Sequence, residues 1–480
     1  MDIIYEKIDN KINIKNFTQT FKNREVNWRI YVSTLTANLL LISGGSMVAW
    51  TSPVINRLKS NSTEENPLGS PITTMEISIL AAIPQIATLF SFIPMAKLSQ
   101  AFGRKKLMLY GAVCLLVTQI VISFARNIYM YYVCLLSVGL GLSAISISVP
   151  IYCGEVADTS NRGIIGCFLG TSMVFGMLLM YVFGSFLSIK MFTLICAFPT
   201  LVHIILHMFV IESPIYLISK GKKIEAIRTL ESLRGNRSNR EIETEYLSLQ
   251  QSVESDLKRK NLSMLDLFKI RSGVKAFFIS ITLCIGQQGS GISIIVAFLG
   301  PIFNESGANI SGDNVGIIVG SAQVITYAVA AYVIEKLGRR SLLLFSSLGC
   351  SLFMLSMGIS FYLKHINSSF IADIRWLPVL FVILYVICYG FGLGPIPVCI
   401  IGELFPHDFR SIGTALVLVF DSILMAIINF SFPLLSEAFG TFSCMIAHSS
   451  VSLLAFIVLY LLLPETKGKT LNEIQDLLNK

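Results

Sequence analysis

Two glutamates are each followed, seven residues on, by an arginine: Glu155 and Arg162 in GEVADTSNRG, Glu403 and Arg410 in GELFPHDFR. What such groups offer is reversible ion pairing. An exposed pair is worth about 0 to 1 kcal/mol, and a broken buried one costs about 3 to 5 kcal/mol. A network of them, with Arg104, Glu335, Arg339, Arg340, Glu212 and Glu465, would bias two conformational states by a few kcal/mol without locking either. It would do so by pairing across two parts of the molecule in one state only. A second chemistry is suggested by Asp421, the only carboxylate well inside an apolar run. It lies eleven residues beyond Arg410, roughly 16 Å deep at about 1.5 Å per residue, where an acid costs about 2.5 to 3.5 kcal/mol on insertion scales. An acid kept there is expected to face a cavity and bind hydroxyl groups. Gln287 is similarly deep, roughly 18 Å into its run, and Ser290 and Gly291 are expected on the same helical face.

Membrane-spanning helices have to hold these residues. Of 480 residues 54% are hydrophobic and 14% charged, with a mean hydropathy of +0.70, which is not the composition of a soluble domain. Twelve apolar runs offer the roughly 20 residues that a helix needs to cross a bilayer. They are 30–55, 72–95, 107–125, 128–150, 163–187, 190–211, 273–301, 314–334, 341–363, 375–401, 411–434 and 440–463. The first run is too long and too late for a cleaved signal peptide. The N-terminus is therefore expected in the cytosol, and an even number of spans returns the C-terminus there. Thirty of the 37 Lys and Arg fall on the predicted inside, as the positive-inside rule describes. The net charge of +8 then belongs to an inner membrane face, which argues against nucleic-acid binding.

The only long hydrophilic interior segment divides the spans six and six. The expected organisation is a terminal segment (1–29), a six-helix bundle (30–211), a linker (212–272), a second bundle (273–463) and a tail (464–480). Apolar residues recur at helical spacing between charges in KKIEAIRTLESLRG and NREIETEYLSLQQSVESDLKRK, so the linker should be helical. The halves repeat one another. AKLSQAFGRKK at 96 recurs as AYVIEKLGRRS at 331, GEVADTSNRG at 154 as GELFPHDFR at 402, and IESP at 211 as PET at 464. Such duplication is common in transporter folds. Glycines weaken the seventh run around Gly291, and YGFGLGPIP should break the tenth at Gly394, Pro395 and Pro397. Those four residues are the expected hinges.

With PIYCGEVADTSNRG after the fourth span, QQGSGIS in the seventh, GLGPIPVCIIGELFPHDFR in the tenth and PETKGKTLNEI after the twelfth, the chain resembles the sugar porter family of the major facilitator superfamily over nearly its whole length. GSMVAWTSP in the first span is most similar to the insect trehalose and sugar transporter branch. The resemblance implies an all-α membrane protein with twelve transmembrane helices in two six-helix bundles and a cytosolic helical linker. It implies facilitative (uniport) transport of a sugar, trehalose or a hexose, across the plasma membrane by alternating access. The partners implied are the sugar and the lipid bilayer, and no cofactor.

Carried over residue by residue, the sugar contacts are Gln287 and Gln288, with Ser293 and Gln323 each in place of an asparagine. Other positions depart from the family. Gly170 stands for a glutamine, Gly390 for an acid or polar residue, Val398 for a tryptophan, Ala297 and Phe298 for a tyrosine pair, and Asp421 for an asparagine. The implied pocket keeps its floor and loses much of its polar wall. Leu135 stands for a fourth-span arginine, which removes one arm of the inner charge network. The first span lacks the acid of proton-coupled members, which favours a uniporter over one alternative, a proton-coupled symporter; Leu135 and the stripped pocket motivate the other, a non-transporting sugar sensor.

His203 and His207 lie four apart without a third ligand, so no metal site is expected. The ten cysteines fall in or beside spans with no CxxC pair, which argues against structural disulfides. No nucleophile elbow or phosphate-binding loop is present, so no enzymatic activity is expected. Sequons at Asn61, Asn304, Asn309 and Asn367 fall on predicted outer loops and allow glycosylation.

Overall fold

The computed structural model describes residues 28–158, 162–235, 237–258, 264–307, 310–367, 375–406 and 409–465, and in the tail 467, 469, 473, 475, 477 and 478. The apolar runs become helices because backbone polar groups within a bilayer must be satisfied inside the segment. Among the described residues twelve helical segments are long and apolar enough to span. They are Trp28–Leu58, Thr74–Phe102, Arg104–Ser123, Ile128–Val156, Phe168–Phe186, Ile189–Phe209, Arg271–Glu305, Gly312–Ala330, Arg339–His365, Leu377–Val398, Ile412–Phe439 and Thr441–Leu462. Their outer faces expose Phe90, Met208 and Leu461, large apolar surface of the kind that marks a membrane contact.

Spans one to six form one bundle and seven to twelve the other. The bundles meet where the second span packs along the eleventh and the fifth along the eighth. Their duplication is visible in matching turns. Gly103 between the second and third spans has φ 99°, and Gly338 between the eighth and ninth has φ 87°, a left-handed conformation that suits glycine.

The linker forms the helices Pro214–Ser219, Lys223–Arg234 and Asn239–Lys258. Leu217, Ala226, Leu230, Ile242 and Tyr246 give it a small core of its own. It is clasped to the first bundle by charge. Arg234 donates to the Val156 carbonyl at 3.0 Å and pairs with Glu245 at 2.8 Å. Arg237 bridges Asp158 at 2.6 Å and Glu245 at 3.0 Å.

The seventh and tenth spans are each interrupted by a turn of two residues or more. The seventh consists of Arg271–Gly289 and Ile292–Glu305, joined at Gly291 with φ 92°. The tenth consists of Leu377–Phe391 and Ile396–Leu404, joined by a turn across 392–395. The interruption corrects one expectation: Gln287, Ser290 and Gly291 do not share a face of one continuous helix, because the helix ends at Gly289 and Gly291 redirects the chain.

Candidate functional site

Gln287 and Gln288 sit at the end of the first half of the seventh span, near its midpoint, where the helix break brings them against other spans. Gln288 Nε2 donates to both Asp421 oxygens, at 3.0 and 3.1 Å. Gln287 Nε2 reaches the Tyr389 hydroxyl and the Gly394 carbonyl, each at 3.4 Å. The site therefore joins the seventh, tenth and eleventh spans through both interruptions. Gln288 Oε1 and Ser293 Oγ are buried without a hydrogen-bond partner among the described residues. Buried polar atoms left in this way are costly unless something else meets them. Gln323 is buried in the eighth span, one turn before Tyr327.

The breaks are held from outside the glycines and prolines. His448 Nδ1 lies 2.9 Å from the Gly289 carbonyl, an acceptor freed where the helix ends. Ser290 and Tyr385 pair through their hydroxyls at 3.0 Å. In the tenth span the Gly394 amide donates to the Tyr389 carbonyl at 2.9 Å and the Leu393 amide to Ser346 Oγ at 2.9 Å. Pro395 and Pro397 flank the start of the second piece, where proline fits the first helical turn.

Sequence reasoning passed over Tyr327, Tyr385, Tyr389 and His448. Tyr327 had one available signal, its position four residues beyond Gln323 on the same helical face. His448 and the tenth-span tyrosines had none, since their importance comes from neighbours more than 90 residues away.

At the linker end the duplication produces two equivalent clusters. Glu212 accepts from the Lys105 amide at 3.3 Å, and Arg104 pairs with Glu155 at 2.8 Å. Glu465 accepts from the Arg339 and Arg340 amides at 3.2 Å each, and Arg339 pairs with Glu403. Arg340 also donates to the Tyr460 carbonyl at 2.7 Å. Glu212 and Glu465 thus lie at the N-termini of the third and ninth spans, where a carboxylate meets free amides and the positive end of the helix dipole. The sequence reading expected these groups to pair across the two halves; the described pairs each close within one half. The side chains of Arg162, Glu335 and Arg410 lie outside the described residues.

Hydrogen bonds that cross between the halves occur at the opposite end. Asn56 Nδ2 donates to Asp313 Oδ1 at 3.0 Å, the Gly300 amide to Ser52 Oγ at 2.9 Å, and the Tyr181 hydroxyl to the Val296 carbonyl at 3.0 Å. Leu135 corrects another expectation. It is buried twenty residues before Glu155 in the same helix, roughly 30 Å away along the axis, so it is no arm of the linker-end network.

His203 Nδ1 lies 2.7 Å from the Thr36 carbonyl, and His207 Nδ1 lies 3.2 Å from His203 Nε2. The pair ties the sixth span to the first. Asn61, Asn304 and Asn367 are exposed; Asn304 Oδ1 accepts from the Gly312 amide at 2.7 Å. Asn309 lies outside the described residues.

Two six-helix bundles, repeated charge clusters and a polar site at two broken helices define a membrane carrier. The chain belongs to the sugar (and other) transporter family, whose model matches residues 17–478. It is 28% identical over 446 residues to the facilitated trehalose transporter Tret1 of Apis mellifera ligustica, covering 92% of this chain and 87% of that one. It is 28% identical over 451 residues to Tret1-1 of Drosophila sechellia, covering 93% of this chain and 52%, about half, of that longer protein. Among solved structures, the inward open conformation of the xylose transporter XylE from E. coli matches with a TM-score of 0.75 at 21% identity, over 93% of this chain and 99% of that one. The proton:xylose symporter XylE bound to 6-bromo-6-deoxy-D-glucose matches with a TM-score of 0.74 at 22% identity, over 93% and 98%.

Proposed function

We propose that this chain carries a sugar, trehalose or a hexose, across the plasma membrane by facilitated uniport, with both termini cytosolic. The observation that carries the reading is the mid-span cluster of Gln287, Gln288, Asp421 and Tyr389, built from two interrupted helices. Sugars present many hydroxyls, and reversible binding needs amides, carboxylates and aromatic planes rather than a deep apolar pocket. Gln288 and Asp421 bind substrate hydroxyls, Ser293 and Gln323 line the path, and Gly291, Gly394, Pro395 and Pro397 let the seventh and tenth spans bend. The curated relatives' names support trehalose and facilitated transport.

Alternating access requires contacts that exist in one state only. The cross-half bonds of Asn56, Ser52 and Tyr181 favour reading this conformation as sealed at the outer end. Arg104 Nε and Glu155 Oε2 are buried without a partner among the described residues. Glu155 Oε2, an acceptor left over beside Arg104, is suited to meet one of the repeated arginines, Arg162 or Arg410, when the halves close at the linker end.

Uptake of a sugar panel into proteoliposomes, with and without a pH gradient, tests this reading. Uptake that stops at equal concentrations and ignores the gradient supports uniport. Concentrative uptake driven by protons would replace uniport with symport. No uptake of any sugar by folded protein would sink the reading.

A further inference from the structure

Three glycines on two spans share one neighbour. A Cβ at Gly170, on the fifth span, would come within 3.2 Å of Tyr327 Cδ1, and one at Gly390, on the tenth, within 3.4 Å of Tyr327 Cδ2. A Cβ at Gly394 would run into the Tyr327 hydroxyl. The fifth span belongs to one bundle and the eighth and tenth to the other, so the ring lies across the seam between them. Its two edges rest on Gly170 and Gly390, and its hydroxyl points at Gly394. That placement puts Tyr327 beside the backbone carbonyl to which Gln287 donates. Tyr389 borders the same glycine, its Cε1 3.1 Å from where a Gly394 Cβ would lie. Tyr327 is half-buried, and among the described residues nothing hydrogen-bonds its hydroxyl.

We propose that Tyr327 is a specificity-determining wall of the sugar site. The inference rests on the reading of the mid-span cluster as that site. The ring fills the volume that side chains at 170 and 394 would otherwise occupy, and at 390 it shares that role with Thr326, whose methyl would lie 2.8 Å from a Cβ there. In their place it presents one aromatic face, on which the C–H face of a pyranose can pack, and one hydroxyl free to donate and accept. A wall of this kind selects by shape and by apolar sugar face more than by the number of hydroxyls met. It also sits where the two halves slide past each other, so the substrate that fits beside it is the one that permits closure.

The test measures uptake of trehalose and glucose into proteoliposomes by the full chain and its variants. Tyr327→Ala is expected to change the trehalose-to-glucose ratio of kcat/KM by about fivefold or more, because it removes one wall and not the floor. Gly170→Gln is expected to cut uptake of both sugars, since its side chain meets the ring, and Gly170→Gln with Tyr327→Ala is expected to recover uptake with a ratio unlike that of either parent. Tyr327→Phe keeps the ring and removes only the hydroxyl, and is expected to raise KM several-fold; it carries the test should Tyr327→Ala fail to fold. Wild-type uptake with an unmoved ratio in Tyr327→Ala, or an unmoved KM in Tyr327→Phe, overturns this inference alone. Absence of any wild-type uptake overturns the transport reading and this inference with it.

Discussion

Gln288 Nε2 is placed between the two carboxylate oxygens of Asp421, at 3.0 and 3.1 Å. The relationship joins the break of the seventh span to the middle of the eleventh and gives a carboxylate inside the membrane a donor of its own. It also orients both groups, leaving Gln288 Oε1 without a partner among the described residues. An amide held by a carboxylate in this way is positioned before substrate arrives.

Asp421→Asn is therefore expected to weaken sugar binding. Hydrogen bonds to a charged group contribute about 1.5 to 3 kcal/mol, and roughly 1.4 kcal/mol is tenfold in affinity, so KM should rise by an order of magnitude or more. Uptake kinetics over a range of pH provide the check. A variant with wild-type KM and a wild-type pH profile would remove Asp421 from the site.

Arg104 and Glu155 are 12% and 11% exposed, so removing one leaves the other largely desolvated. Arg104→Ala is expected to destabilise the protein by roughly 3 kcal/mol, read as a lowered unfolding temperature in detergent. The exchange of Arg104→Glu with Glu155→Arg should recover part of that loss. Equal stability in the single variant and the wild type would mean that the pair contributes little in this state.

Asn56→Ala removes the bond to Asp313 that crosses between the halves. If that bond helps to seal the outer end, its loss should shift the population toward the outer-open state by about 1 kcal/mol, a factor of about five. Labelling of a cysteine placed beside the outer seam, applied from outside, would report the shift as faster modification. An unchanged labelling rate would assign the seal to apolar packing instead.

Gly291 turns the chain at φ 92°, and a Cβ there would meet the Met354 methyl at 2.6 Å. Gly291→Ala should cost about 1 to 2 kcal/mol of backbone strain and slow turnover more than it weakens binding. Comparing kcat with KM for the variant distinguishes a bending role from a binding one. A variant with full kcat would show that the seventh span need not bend at this residue.

Much of this architecture could be read along the chain. Apolar length, basic residues between runs, the Gly-Pro cluster of the tenth span and the three repeated motifs are local features, and each maps onto a helix, a turn or a break because local backbone preferences and bilayer thickness act on consecutive residues. Partner choice was not legible in that way. Arg104 and Glu155 are 51 residues apart and Gln288 and Asp421 are 133 apart, and nothing in either neighbourhood says that they meet. The same holds for Leu135, whose depth in its helix separates it from the charges with which the family pattern grouped it. Tyr327 depends on packing even more, since three glycines from two bundles become its slot only when the fifth, eighth and tenth spans come together. The sequence by itself determined a duplicated twelve-span carrier with interrupted seventh and tenth helices. Which charges pair within a half, which bonds cross between halves and which ring walls the site were decided by the register of helices distant in the chain.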